Sequence, residues 1–254
     1  MAVKHFLVIV LFPTLWVLHA IEPVSDGDIV IEKPVVPEKI TPELSRDIIA
    51  RLTDKYSKMY DKYAGCESTR YLEVKWYKPG TMELVKSEKV AYTRWDDFYE
   101  DLEYKTLSYE VDGKPDDPDD YDPHETKPGI PVFDRNGEKE YLRSVIGVDT
   151  VKGEPAYKIQ VIPRRPKNEH FKGFIWATVS KLDLVQFQGT AGKFRIGLQE
   201  LSVFFEAKDF GGYYCFTAGH NEARIAFFIF QPERILHFKW YATDFKPMPK
   251  KAGK

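Results

Sequence analysis

The densest group of chemistry-bearing side chains is acidic. Six aspartates fall between Asp112 and Asp122, five of them in Asp116-Asp117-Pro118-Asp119-Asp120-Tyr121-Asp122. Clustered carboxylates are what a hard cation such as calcium requires. The spacing, however, does not fit a twelve-residue calcium loop. Counted from Asp117, the fifth position is Tyr121 and the twelfth Pro128; counted from Asp120, they are His124 and Pro131. A solvated acidic surface loop over residues 112 to 137, interrupted by prolines and glycines, is the expected state, with no metal. Past the leader the histidines are His124, His170, His220 and His237, and none neighbours a serine or cysteine in a nucleophile-elbow setting, because G-x-S-x-G is absent. G-x-G-x-x-G and the phosphate-binding loop are absent too, so no cofactor and no enzymatic activity are expected. Two cysteines, Cys66 and Cys215, complete the inventory. Without paired C-x-x-C or H-x-x-x-H spacing they do not suggest zinc. In an oxidising compartment they form a disulfide, or else remain two buried thiols.

The compartment follows from the first twenty residues. Lys4 precedes an apolar run from Phe6 to Leu18, and Ala20 supplies a small residue for cleavage. The run is shorter than the ~20 residues a spanning helix needs and reads as a signal peptide cleaved near Ala20, hence export to the periplasm. Loss of Lys4 takes the formal charge from −2 to −3, which disfavours nucleic acid as a partner.

The elements that position side chains begin after an extended, proline-containing lead-in at 21–40. Thr41 is a good helix N-cap, with Pro42 at the first helical position and Glu43 beside the positive helix end. Leu44, Ile48, Ile49, Leu52, Tyr56, Met59, Tyr60 and Tyr63 recur every three to four residues, and Gly65 is the expected stop. Strand patterns follow. Leu72, Val74 and Trp76 alternate with Glu73 and Lys75. Pro79-Gly80, Asp112-Gly113, Gly153-Glu154, Gly211-Gly212 and His220-Asn221 read as turns between about ten strands. The second half is rich in aromatic residues within a chain that holds seventeen Phe, fifteen Tyr and five Trp. One helix cannot cover ten strands, so the uncovered apolar face is expected to form a cavity for an apolar ligand. Leu72, Val74, Trp76, Tyr157, Ile159, Val161, Trp176, Phe187, Phe205, Phe228 and Trp240 are the expected lining, chosen by strand alternation.

Several segments then resemble a known family. Tyr71-Leu-Glu-Val-Lys-Trp76, the hairpin Gly153-Glu-Pro-Ala-Tyr-Lys-Ile-Gln-Val-Ile-Pro163 with Phe171-Lys-Gly-Phe-Ile-Trp176, and the closing Trp240-Tyr-Ala-Thr-Asp-Phe245 are similar to the LolA-like outer-membrane lipoprotein-sorting proteins, the group sharing the LolA, LolB and RseB type of fold. The resemblance covers residues 41–246 and leaves 247–254 as a basic tail. It implies an α+β, mostly β fold: a strongly curved open antiparallel sheet, an unclosed barrel, with the N-terminal helix over its concave face. It also implies carriage of lipid or acylated lipoprotein in the periplasm. An envelope sensor or protein-interaction module on the same fold, with an envelope protein as partner, is the alternative.

Overall fold

The computed structural model describes residues 35–97, 103–121, 131–167, 170–194, 197–210, 213–226 and 232–250. The expected signal peptide, most of the lead-in, the centre of the acidic stretch, the Gly211-Gly212 turn and Phe228 lie outside these residues.

Helix α1, Pro42–Lys62, starts as its sequence dictates: Thr41 Oγ1 accepts the Leu44 N–H at 3.2 Å, and Pro42 occupies the first turn. Ile48, Leu52, Tyr56, Met59 and Tyr60 form its buried stripe. The helix does not stop at Gly65. Tyr63 is already extended, and strand β1, Tyr63–Tyr77, begins there with Gly65 inside it. A glycine can occupy either place, and here the strand pairing of β1 takes it.

Ten further strands follow: β2 Leu84–Asp97, β3 Glu103–Val111, β4 Lys114–Asp116, β5 Tyr141–Val151, β6 Glu154–Pro163, β7 Phe171–Thr178, β8 Leu184–Ala191, β9 Leu198–Asp209, β10 Tyr214–Ile225 and β11 Arg234–Pro249. All pair antiparallel in one sheet of order β4-β3-β2-β1-β11-β10-β9-β8-β7-β6-β5. The first and last long strands, β1 and β11, meet in the middle, and β4 and β5 are left as edges, so the barrel stays open. The Asp112-Gly113 and Lys152-Gly153 turns carry positive φ at both residues, the two-residue hairpin geometry that favours glycine at its second position.

The helix lies across the strands. Ser45 Oγ accepts the Val145 N–H of β5 at 2.9 Å, the Tyr56 hydroxyl accepts the Leu184 N–H of β8 at 2.9 Å, and Tyr60 and Tyr214 of β10 share a 3.0 Å hydroxyl contact. From Ser45 to Tyr60 a helix rises ~22 Å, close to the ~24 Å that separates β5 from β10 at strand spacing. The main core lies beneath it, joining its stripe to Ile159, Ile175, Leu184 and Phe187.

Three expectations need correction. His220-Asn221 is no turn: β10 runs through both, with His220 stacked on Phe204 at 4.7 Å. The tail does not start at 247, because β11 extends to Pro249 against Tyr63. The stretch 112–137 is not only a loop. It adds β4 to the sheet edge and a 3-10 turn at Pro118–Asp120, and it buries Val132 and Phe133 in the main core ahead of helix α2, Gly137–Glu140. Two of its aspartates serve local structure: Asp112 Oδ1 accepts the Ser87 N–H at 2.7 Å, and Asp117 caps the 3-10 turn. Among the described residues no three metal-binding side chains gather at one point.

Candidate functional site

Cross-strand partners in an antiparallel sheet point to the same face. One row therefore crosses nearly the whole sheet on the concave side: Val145, Ile159, Ile175, Phe187, Phe205, Gly219, Trp240, Leu72, Val90 and Tyr109. The next row carries Val161, Val203, Asn221, Phe238 and Val74, and the one beyond it Leu201, Ala223, Leu236 and Trp76. Tyr157 sits on the same face against Ala177.

The expected lining thus divides in two. Tyr157, Ile159, Val161 and Phe187 are buried under α1 as ordinary core. Leu72, Val74, Trp76 and Trp240 lie on the half of the concave face that the core under the helix does not include, with Phe205 at the junction. Trp176 is a correction: it pairs with Lys158 and Gln186 on the convex face, donates its Nε1–H to Asp149 at 2.9 Å and lies under the Lys158 ammonium. In Phe174-Ile175-Trp176-Ala177 both faces are apolar, so alternation does not say which residue turns inward; Ile175 does, at the centre of the core.

A chain of rings leads from the core under the helix onto the second half of the concave face, an aromatic floor. Phe187 meets Phe216 at 5.0 Å, Phe216 meets Phe205 at 5.2 Å, and Phe205 meets Trp240 at 6.0 Å between ring centroids. Gly219 lies between the last two. A Cβ there would come within 2.7 Å of Trp240 Nε1 and 2.8 Å of both Phe205 Cδ1 and the Phe204 carbonyl oxygen, so the rings close over a position that only glycine leaves free. The Arg70 guanidinium stacks 4.6 Å above the Trp240 ring. At the far border, Tyr121 from the acidic stretch covers Tyr109 at 5.3 Å and Tyr92 at 6.2 Å, in a cluster with Val90 and Leu72.

Two polar atoms on this floor are shut off from solvent without a partner among the described residues, Trp76 Nε1 and Asn221 Oδ1. One is a donor and the other an acceptor. An unmatched buried hydrogen-bonding group costs about 1–3 kcal/mol. Arg70 and Tyr121 were not among the expected residues. Arg70 shares the parity of Leu72 and could have been read from it; nothing in the pattern around Tyr121 marks it as a cover.

Cys66 and Cys215, 149 positions apart, come together as buried cysteines with 3.0 Å between sulfurs. The Tyr213 hydroxyl is pushed well above its ordinary range, first by burial and then by these two thiols. His170, expected in a charged loop, is buried and satisfied. Its Nδ1 accepts the Lys167 N–H at 3.1 Å, which leaves the proton on Nε2 facing Glu140 at 3.0 Å.

What the geometry defines is an open antiparallel half-barrel with a helix across one half of its concave face and an apolar, partly lidded floor in the other. No protein family model matches the sequence, and no curated protein matches it. Similar solved structures include lipoprotein-sorting and LolA-type proteins, the resemblance read from the sequence. A putative outer membrane lipoprotein-sorting protein domain from Vibrio parahaemolyticus is 10% identical over 81% of this chain and 92% of its own, with a TM-score of 0.36. A LolA superfamily protein from Nitrosomonas europaea is 8% identical over 80% and 92%, with a TM-score of 0.37. The MucA/MucB complex of Pseudomonas aeruginosa also matches, at 10% identity over 80% and 98% and a TM-score of 0.25.

Proposed function

We propose that this chain is an exported, non-catalytic binding protein that shelters the acyl chain of a lipid or acylated lipoprotein on the concave floor between α1 and Tyr121. The observation that carries the reading is the composition of that floor: apolar and aromatic side chains, Phe205, Trp240, Leu72 and Val74, with Arg70 stacked on Trp240, the Lys86–Glu88 ion pair at the border, and the Trp76 Nε1 and Asn221 Oδ1 atoms unmatched among the described residues. Binding would be driven by burial. Each methylene removed from water contributes about 0.8 kcal/mol, so an acyl chain supplies affinity while Trp76 or Asn221 orients a polar group at its head. Leu72, Trp76 and Phe205 are only half-buried, which leaves them apolar surface to offer. The export part of the proposal rests on Lys4 and the apolar run after it. Among the described residues no helix is long and apolar enough to cross a membrane.

Native mass spectrometry of the protein purified without detergent tests the reading. A population carrying a bound mass that fragments to an acyl chain is expected. A bare protein that also takes up no fatty acid after delipidation and titration would overturn it.

A further inference from the structure

A groove of about 710 Å³ runs along the flank of α1 beside the edge strand β5 and helix α2, outside the apolar floor. Five cationic side chains line it against two acids, Asp54 and Glu138. Three of the cations are already matched on the exposed helix surface: Arg46 by Glu43 at 3.1 Å, Lys58 by Asp54 at 2.6 Å, and Arg135 by Asp61 at 2.5 Å. The remaining two differ. Arg143 uses Nη1 on the Thr53 hydroxyl and the Val132 carbonyl, each at 3.0 Å, and Arg164 uses Nε on the Glu138 carbonyl, also at 3.0 Å. Every one of these acceptors is neutral. Among the described residues no carboxylate makes an ion pair with either guanidinium. Burial holds Arg143 below its ordinary range, Glu138 and Asp134 offset this in part, and Arg164 adds to the strain on its charge.

A half-buried guanidinium fixed by two neutral acceptors keeps its other nitrogens for a planar oxyanion. The shape of the edge says how that anion arrives. On β5 the outward Tyr141 N–H is taken by the Gly137 carbonyl, and the outward Val145 N–H by Ser45 Oγ. Between these two only Arg143 keeps an outward backbone edge, too short a stretch for a peptide strand to add at this end of β5, so a ligand in the groove is held by side chains. Ile49 and Leu142 supply apolar wall beside the two arginines.

We propose that this groove is an oxyanion site, in which Arg143 and Arg164 together hold a phosphate group, either free or as the head group of an anionic lipid. The inference does not depend on the acyl-binding floor, since none of the residues named for one site lines the other.

Isothermal titration with inorganic phosphate and with short-chain phosphatidic acid below its micelle concentration distinguishes the two sources. Binding of both with similar affinity indicates a free oxyanion; binding of the phosphatidic acid alone indicates a lipid head group. Arg164→Gln changes an exposed residue, so the fold is retained, and the affinity of whichever probe binds is expected to fall at least tenfold. Arg143→Lys keeps the charge but loses the fork and part of its hold on Thr53 and Val132, so a loss of affinity with a somewhat lower melting temperature is expected, and Arg164→Gln is the variant that separates binding from folding. The proposal is overturned if neither probe binds more tightly than ~1 mM, or if binding is unaffected by both substitutions. Loss of acyl binding with intact phosphate binding would count against the apolar floor alone.

Discussion

Phe205 and Trp240 stand on strands that are not neighbours, yet their rings come within 6.0 Å because the residue between them, Gly219, has no side chain. This contact links the core beneath α1 to the open half of the sheet. Gly219→Val should therefore do more than remove backbone freedom. It should push the two rings apart, cost about 1–3 kcal/mol by overpacking, and shift tryptophan emission. Chemical denaturation followed by fluorescence measures both. A variant as stable as the parent, with the same emission, would show that the rings tolerate a side chain between them.

The aspartate-rich part of the acidic stretch is expected to matter through one ring more than through its charge. Tyr121 covers Tyr92 and Tyr109, and Tyr121→Ala should cost about 1–2 kcal/mol, the range of lost aromatic pairing and apolar burial together. Replacing Asp119 and Asp120 with Asn should cost little, since both are exposed. Urea midpoints of the three proteins check this, and the reverse order would mean that charge, not the tyrosine, is what the stretch contributes.

The facing thiols give a redox prediction. In oxidising conditions Cys66 and Cys215 should bridge, closing a loop of ~149 residues and contributing on the order of 5 kcal/mol in the chain-entropy description. Thiol titration of the denatured, unreduced exported protein should then find no free cysteine. Two free thiols per chain would refute the bridge.

Buried tyrosines set the alkaline limit of stability. Tyr214 is pushed up to about 12 by burial, and Tyr56, Tyr141 and Tyr213 are pushed higher, again chiefly by burial. In the unfolded chain these phenols ionise near ~10. A group whose folded value is raised stabilises fully below its unfolded value and loses that contribution as pH climbs toward the folded one. The unfolding midpoint should hold up to about pH 10 and fall steeply above it, with the phenolate absorbance of these buried rings appearing only on unfolding. A midpoint unchanged at pH 11 would contradict this.

How much of this was legible in the sequence varied with the element. The helix was readable because its apolar residues recur at one spacing between a capping Thr41 and a polar flank. The inward face of β1 was readable because Glu73 and Lys75 mark the outward one. Trp176 was misplaced because β7 is apolar on both sides, so its register is fixed only by pairing with β6 and β8. His220 and Asn221 are turn-forming types, yet β10 continues through them because β9 and β11 pair on either side. Arg70 over Trp240 and the cover formed by Tyr121 depend on contacts between distant segments, which no local pattern records.

The most direct test of the apolar floor is a fatty-acid titration of the parent and of Leu72→Asp, followed by tryptophan fluorescence and paired with thermal melts. Leu72 is half-buried on the row between Trp240 and Val90. An open floor can hydrate a carboxylate there, whereas a packed core would bury it unpaired at a cost of several kcal/mol. The predicted result is a folded variant, melting within a few degrees of the parent, that no longer responds to fatty acid. A variant that unfolds, or one that folds and binds as before, would contradict a ligand site on this half of the sheet.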